Sequence, residues 1–408
     1  MVEQMSKKLD IIYFGDIKDI NGVNLVTNLF LKGKNVFSNN GIKLRKIYSS
    51  TSTIDCVMED SLPIGADLGT RKYKLTRIIR TVLRIIMDSR VPFFAWYKFK
   101  KNFLIPAQNV IGLNHKKFDS DYVLFQDIFT AYYYYKQFGN TDKKTILVLH
   151  CEKDIFGQFK LLFPGIFNSR YKKQIEDIFH FALSKVGKVV FVSEKSAVFN
   201  RNILKDPDFV HNGIPDLPDF NLGVSDKNMI NFVCVGTFNY NKGQDVLIEA
   251  VNLLTKNLKE RCRFYFVGDG PQLLELKNKV NSYKLNENII FLGLRKDVPD
   301  LLKSMDVLFL LSKTEGLPLS IIEGLRQGLY IIATDVGGIS EMIGDGFGKL
   351  VERNSEKVAE NIMLILNADI VNQNSKSLSR EYFLSKFTLD GMISKYSLLF
   401  NSMDEYEN

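Results

Sequence analysis

The stretch DVLFLLSKTEGLPLSIIEGLRQGLYIIAT (306–334) leads from one apolar run to another through a Glu-Gly turn and a helix-like segment. Its ends, DVLFLLS (306–312) and LYIIAT (329–334), have the near-continuous apolar character of parallel strands covered on both faces. Pro318 suits the first turn of the helix between them. Similar runs extend outward on both sides. NFVCVG (231–236), RFYFVG (263–268) and NIIF (288–291) belong to the same series, while LDIIYF (9–14), YVLFQ (122–126), TILVLH (145–150) and KVVFVS (188–193) form an earlier one. Two α/β halves follow. Between them HNGIPDLPDFNLG (211–223) carries Gly213, Pro215, Pro218 and Gly223, the composition of an interdomain link. The expected division is therefore 1–218, 219–385 and a closing segment, 386–408. In that last segment FTLDGMISKYSLLFNSM (387–403) has helical apolar spacing and is expected to pack back towards the first domain.

The 408 residues suffice for two or three domains, each with its own core. Hydrophobic residues at 45% and charged residues at 25% exclude a disordered chain. Cys56, Cys151, Cys234 and Cys262 are widely spaced with no CxxC pair, which points to buried thiols in a reducing cytoplasm and gives a zinc or redox motif little support. No apolar run resembles a signal peptide or a membrane span. The net charge of +8 is local. Residues 71–103 hold ten basic residues and one acidic, Asp88, so the rest of the chain is close to neutral. That argues against a nucleic-acid coat and for one basic partner surface.

The chemistry gathers in the second half. Thr314 to Gly324 place Glu315 at the turn and Glu323 about one and a half helical turns further on, so two carboxylates can hold hydroxyls of two parts of one ligand. In isolation this pair reads as a cap and a solvated surface residue. The neighbouring loops change that reading. VGTFNYNKGQDVLIEA (235–250), VGDGP (267–271) and DVGGISEMI (335–343) each carry glycine between strand and helix, as suits a phosphate approached by backbone N–H groups. Lys242 supplies a compact positive charge for a diphosphate. No strand-GxGxxG-helix unit occurs, which weakens a dehydrogenase reading.

These motifs resemble those of the family 4 glycosyltransferases. Earlier segments extend the likeness: DINGVN (19–24) is similar to the glycine loop after the first strand, LHCEKD (149–154) to the histidine loop, and VSEKS (192–196) and VHNGIP (210–215) to the close of the first domain. The resemblance implies an α/β GT-B fold, two Rossmann-like domains facing each other across a cleft. It implies a retaining hexosyl- or N-acetylhexosaminyltransferase of the bacterial cell-surface polysaccharide type, moving sugar from a UDP-sugar to a saccharide acceptor linked to a polyprenyl diphosphate. The other reading is a non-catalytic glycan- or protein-binding partner on the same scaffold.

Carried onto this chain, the likeness makes Lys242, Glu315 and His150 the catalytic candidates. Gly22, Gly236, Thr237, Gly268, Arg295, Gly316, Leu317 and Glu323 join Lys242 as donor-binding candidates. Gly22 would admit the donor phosphate, His150 would lie beside the donor sugar, Glu315 would hold sugar hydroxyls and Glu323 the ribose. The family usually carries an arginine where this chain has Thr237, so Lys242 faces the diphosphate without that partner; either backbone N–H groups of the Gly22 and Leu317 loops compensate or Arg295 reaches in. No cofactor is expected, and metal-independent chemistry follows if Lys242 and helix N-termini stabilise the leaving group.

Residues 74–87 sort on a helical wheel into an apolar side and a side bearing Arg77, Arg80 and Arg84. VPFFAWYKFKKNF (91–103) follows, with Trp96 among Lys98, Lys100 and Lys101. One reading packs this segment on the sheet. The other docks Arg77, Arg80, Arg84, Trp96, Lys98, Lys100 and Lys101 on an anionic membrane, each basic residue contributing ~1 kcal/mol. The enzyme would then work in the cytoplasm, peripheral on the inner face of the cell membrane, with no nucleic acid as partner.

Overall fold

A computed structural model describes residues 6–15, 22–50, 52–56, 90–114, 118–152, 154–217 and 229–405. The chain forms two compact units, one of residues 1–210 with 392–408 and one of residues 211–391.

The first unit is built on seven strands: β1 (Lys7–Ile12), β2 (Ile42–Tyr48), β3 (Thr53–Asp55), β4 (Tyr122–Phe125), β5 (Lys144–Leu149), β6 (Lys188–Phe191) and β7 (Asp208–Phe209). Their order is β3-β2-β1-β4-β5-β6-β7, parallel throughout except for the antiparallel β2/β3 pair. β4 is buried along its whole length, which is why its sequence reads as unbroken apolar residues. β2 escaped the sequence reading because Lys43, Arg45 and Lys46 interrupt its apolar run. Arg45 is accommodated by a two-pronged ion pair with Asp10, a fully buried residue of β1. Burial raises the Asp10 carboxyl above the ordinary range, with the Arg45 hydrogen bonds opposing it.

The stretch 92–114 is helical throughout, Pro92–Phe99 passing through a π-helical turn, Lys100–Leu104, into Ile105–Asn114. Trp96 turns inward, with its ring stacked on Phe99 and Tyr171 at centroid distances of 5.7 and 5.3 Å. It packs against the domain core rather than standing free. Lys100 and Lys101 are exposed, as are Phe93 and Tyr97. Arg77, Arg80, Arg84 and the proposed amphipathic helix lie outside the described residues.

The closing helix, Leu389–Glu405, completes this first core. Phe400 stacks on Tyr122 at 4.7 Å, Tyr396 meets Phe30 edge-on at 5.2 Å, and the Tyr122 hydroxyl donates to Asp404. Among the described residues no helix is long and apolar enough to cross a membrane.

The second unit holds six parallel strands: β8 (Ile230–Val235), β9 (Cys262–Val267), β10 (Ile289–Gly293), β11 (Val307–Leu310), β12 (Tyr330–Thr334) and β13 (Gly348–Val351), in the order β10-β9-β8-β11-β12-β13. Residues 211–217, placed before the boundary by composition, are tied to this unit. The Ile214 N–H donates to Phe387, the Arg326 guanidinium donates to the Pro215 carbonyl at 2.9 Å, and Arg380 pairs with Asp216 at 2.6 Å. The strand order reverses between β8 and β11. In an open α/β sheet the crevice beyond the carboxyl ends of such a pair is where ligands bind.

Candidate active site

Two loops of the second unit leave that reversal point. One follows β8 and carries Lys242; the other follows β11 and carries Glu315. Lys242 Nζ donates to Glu315 Oε1 at 2.5 Å, and the buried Ser312 hydroxyl donates to the same oxygen at 2.6 Å. The two charged side chains are 22% and 11% exposed, so the pair is sheltered yet reachable from solvent.

A clamp absent from the sequence reading holds these loops together. Asn241 Nδ2 donates to the Thr314 carbonyl at 2.9 Å, the Thr314 N–H donates to Asn241 Oδ1 at 3.1 Å, and the Lys313 N–H donates to the Asn241 carbonyl at 2.8 Å. An asparagine in a glycine-bearing loop reads as a turn former, which hid this role.

Glu315 leads into Gly316, Leu317 and the helix Leu319–Arg326. The Gly316 carbonyl accepts from the Gly338 N–H at 2.8 Å, and the Leu317 carbonyl accepts from Asn212 Nδ2 at 2.9 Å. Since the carbonyl and the following N–H of a trans peptide point in opposite directions, the first of these bonds turns the Leu317 N–H outward. Among the described residues no partner takes the N–H groups of Gly316 or Leu317. Gly337 lies behind the loop at a φ of +57°, where a Cβ would sit 1.8 Å from the Glu315 carbonyl oxygen. The glycines of DVGGISEMI therefore support the Glu315 loop from behind.

A similar use explains Gly268. Its φ is +141°, and a Cβ there would lie 2.0 Å from the Gly236 carbonyl oxygen, so the loops after β8 and β9 meet backbone to backbone. Gly236 also lies beside the Lys242 side chain, whose Cε would be 3.8 Å from an added Cβ. Thr237 is exposed and its carbonyl accepts from Gln244 at 3.3 Å. Arg295, past β10 and two strands from β8, is exposed and gripped by both carboxylate oxygens of Asp297. Glu323 is half-buried, and its carboxylate takes no hydrogen bond among the described residues. Burial pushes it above the ordinary carboxylate range, with the Arg326 charge opposing.

In the first unit the helix Gly22–Lys32 opens at Gly22, the last residue of its loop after β1 that the structure describes in part. His150, at the carboxyl end of β5, shares a 2.8 Å hydrogen bond between its Nε2 and Gln126 Oε1. Burial depresses its pKa to about 4, so the imidazole is neutral, and because an amide oxygen only accepts, Nε2 carries the proton. Gln126 and its neighbour Asp127 were missed by the sequence reading. Asp127 caps the helix Ile128–Phe138 through the Thr130 N–H at 2.8 Å and also accepts from the Phe14 N–H, anchoring the end of β1.

Residues 220–381 match the family described as glycosyl transferases group 1. The second unit is a glycosyl transferases group 1 domain. A sequence relative of this domain is the UDP-Gal:alpha-D-GlcNAc-diphosphoundecaprenol alpha-1,3-galactosyltransferase of Escherichia coli, 30% identical over 192 residues, 46% of this chain and 49% of that one. The chain thus spans about half the length of such curated relatives. Among solved structures, sucrose-phosphate synthase of Thermosynechococcus elongatus has a TM-score of 0.72 at 15% identity, over 98% of this chain and all of that one. HepE of Anabaena in complex with UDP and glucose scores 0.63 at 15% identity, over 97% of this chain and all of that one. These likenesses, together with the two parallel-sheet units, establish the fold as GT-B. Within the group 1 domain, Lys242, Glu315, Gly316 and Leu317 lie in the two loops at the reversal point, Glu323 stands on the helix that follows them, and Arg295 is engaged by Asp297.

Proposed function

We propose that the protein transfers a sugar from a nucleoside-diphosphate sugar, with UDP as the carrier, to a saccharide acceptor on a polyprenyl diphosphate, retaining configuration at the anomeric carbon. The observation that carries this reading is the Lys242–Glu315 pair beside two N–H groups at a helix start that have no partner among the described residues. A cation and aligned donors suit a diphosphate, and a carboxylate suits sugar hydroxyls. The UDP and glucose bound to HepE and the acceptor named for the E. coli relative support the choice of substrates. Retention, and the hexosyl or N-acetylhexosaminyl donor, rest on the family resemblance.

In this reaction the bond between the anomeric carbon and the phosphate oxygen breaks and the diphosphate departs with the electron pair. The acceptor oxygen bonds to the anomeric carbon, and its proton passes to the departing phosphate. Lys242 and the Gly316 and Leu317 N–H groups stabilise the charge that grows on the diphosphate. Glu315 and Glu323 orient sugar and ribose by accepting from their hydroxyls. No metal is required for these roles. Lys242→Ala and Glu323→Ala should each lower turnover of the cognate nucleotide sugar by roughly 10²-fold or more while far-UV circular dichroism stays unchanged. Near-normal turnover in both variants would sink the assignment; hydrolysis of a nucleotide sugar by the wild type would exclude a merely binding role.

The first unit is the part proposed to meet an anionic membrane carrying the acceptor. Phe93 and Tyr97, 63% and 55% exposed, stand on the same helical stretch as exposed Lys100 and Lys101. Reversing Lys98, Lys100 and Lys101 to Glu should reduce co-sedimentation with phosphatidylglycerol vesicles; unchanged sedimentation rejects this surface.

A further inference from the structure

We propose that the Lys242–Glu315 pair is an internal lock that an intact nucleotide sugar opens well and a free nucleoside diphosphate opens poorly, so the site discriminates against its own product. This rests on the glycosyltransferase reading and concerns how the same site chooses between substrate and product. Glu315 Oε1 accepts from both Lys242 Nζ and the Ser312 hydroxyl, and the carboxylate is only 11% exposed. The Asn241–Thr314 clamp fixes the backbones of the two loops, so the charges cannot part by loop movement alone.

A diphosphate that draws Lys242 away brings acceptors and negative charge, but no donor for Glu315. The carboxylate is then left sheltered with one neutral hydroxyl beside an added like charge, an arrangement that opposes binding. A nucleotide sugar supplies both replacements at once: phosphate oxygens for the lysine and sugar hydroxyls for the carboxylate. Rejection of the product is thus written into a repulsive contact rather than a missing attractive one. Once the sugar has left, Glu315 recaptures Lys242 and the diphosphate loses its counter-charge.

The test is calorimetric titration of the wild type and Glu315→Gln with UDP, GDP and ADP, and with UDP-glucose, UDP-N-acetylglucosamine and GDP-mannose. Glutamine keeps the shape and the Ser312 contact but removes the charge. The expected result is that the best-binding free diphosphate binds Glu315→Gln roughly tenfold more tightly than wild type, while the matching nucleotide sugar gains nothing. In a Lys242→Met background the Glu315→Gln gain should shrink, because the repulsion remains but the competition for the lysine is gone. Glu315→Asp, which draws the carboxylate back by one methylene, should move diphosphate affinity in the same direction as Glu315→Gln. Equal or weaker diphosphate binding by Glu315→Gln, or a gain undiminished without Lys242, overturns the lock and leaves the transferase reading standing. Absence of binding by any of the six ligands to the wild type overturns both.

Discussion

At the scale of single residues, His150 shows how burial sets chemistry. Its imidazole titrates near pH 4 in the folded chain against about 6.5 when exposed, because the neutral ring is favoured away from water. The unfolded chain therefore binds a proton that the folded chain refuses between these limits. Stability is unaffected by this group above about pH 6.5, falls as the pH drops towards 4, and levels off below. Urea unfolding at pH 7.5 and 4.5 should show a loss for the wild type that His150→Gln reduces by on the order of 2 kcal/mol. An identical loss in the two proteins rules the effect out. His150 was legible because it ends a strand rich in apolar residues; Gln126, its partner, was not, since a lone glutamine carries no local signal. The inward turn of Trp96 was equally hidden, because Tyr171 is distant in sequence.

At the scale of elements, strands were readable wherever both faces are covered, as in β4, β8 and β11. β2 and the edge strands β3, β7 and β13 were not, either because charges interrupt them or because they are short. Loops divided in the same way. The Lys242 and Glu315 loops were found from their charges and glycines, but the glycines serve contacts between loops that only the fold reveals. Gly337→Ala tests this directly. A methyl group there meets the Glu315 carbonyl, so the substitution should cost about 2–3 kcal/mol and should weaken nucleotide-sugar binding more than it lowers the melting temperature. Unaltered ligand affinity with a normal melting temperature would remove the supporting role assigned to this loop. The clamp by Asn241 belongs to the same scale, because it joins two elements 73 residues apart and neither loop's own sequence records the other.

At the scale of the whole chain, the two α/β halves were evident from two series of apolar runs, while their limits were not. Proline and glycine in 211–223 marked a link, yet the bonds of Asn212, Pro215 and Asp216 bind its first part to the second unit. Composition reports flexibility of the backbone and says nothing of distant partners. The units have separate cores, one of which includes Phe125, Phe129 and Phe179 and the other Phe232, Phe264 and Phe309. Phe400→Ala removes the ring stacked on Tyr122 and should destabilise the first unit by about 3–5 kcal/mol. Calorimetry should show one transition lowered and the other still raised by nucleotide sugar, since a ligand lifts only the unit that holds it. A uniform fall of both transitions would show that they do not melt separately.

The closing helix also bears on how the chain is made. The second unit is one uninterrupted run, residues 211–391, and all its strands are synthesised before the closing helix. The first unit draws on residues 1–210 and 392–408, which are synthesised on either side of the second. Until Tyr396 and Phe400 emerge, Phe30 and Tyr122 lack the rings that cover them. The unit begun first is thus completed after the second, and the nascent chain carries an open apolar face until residues 392–408 emerge.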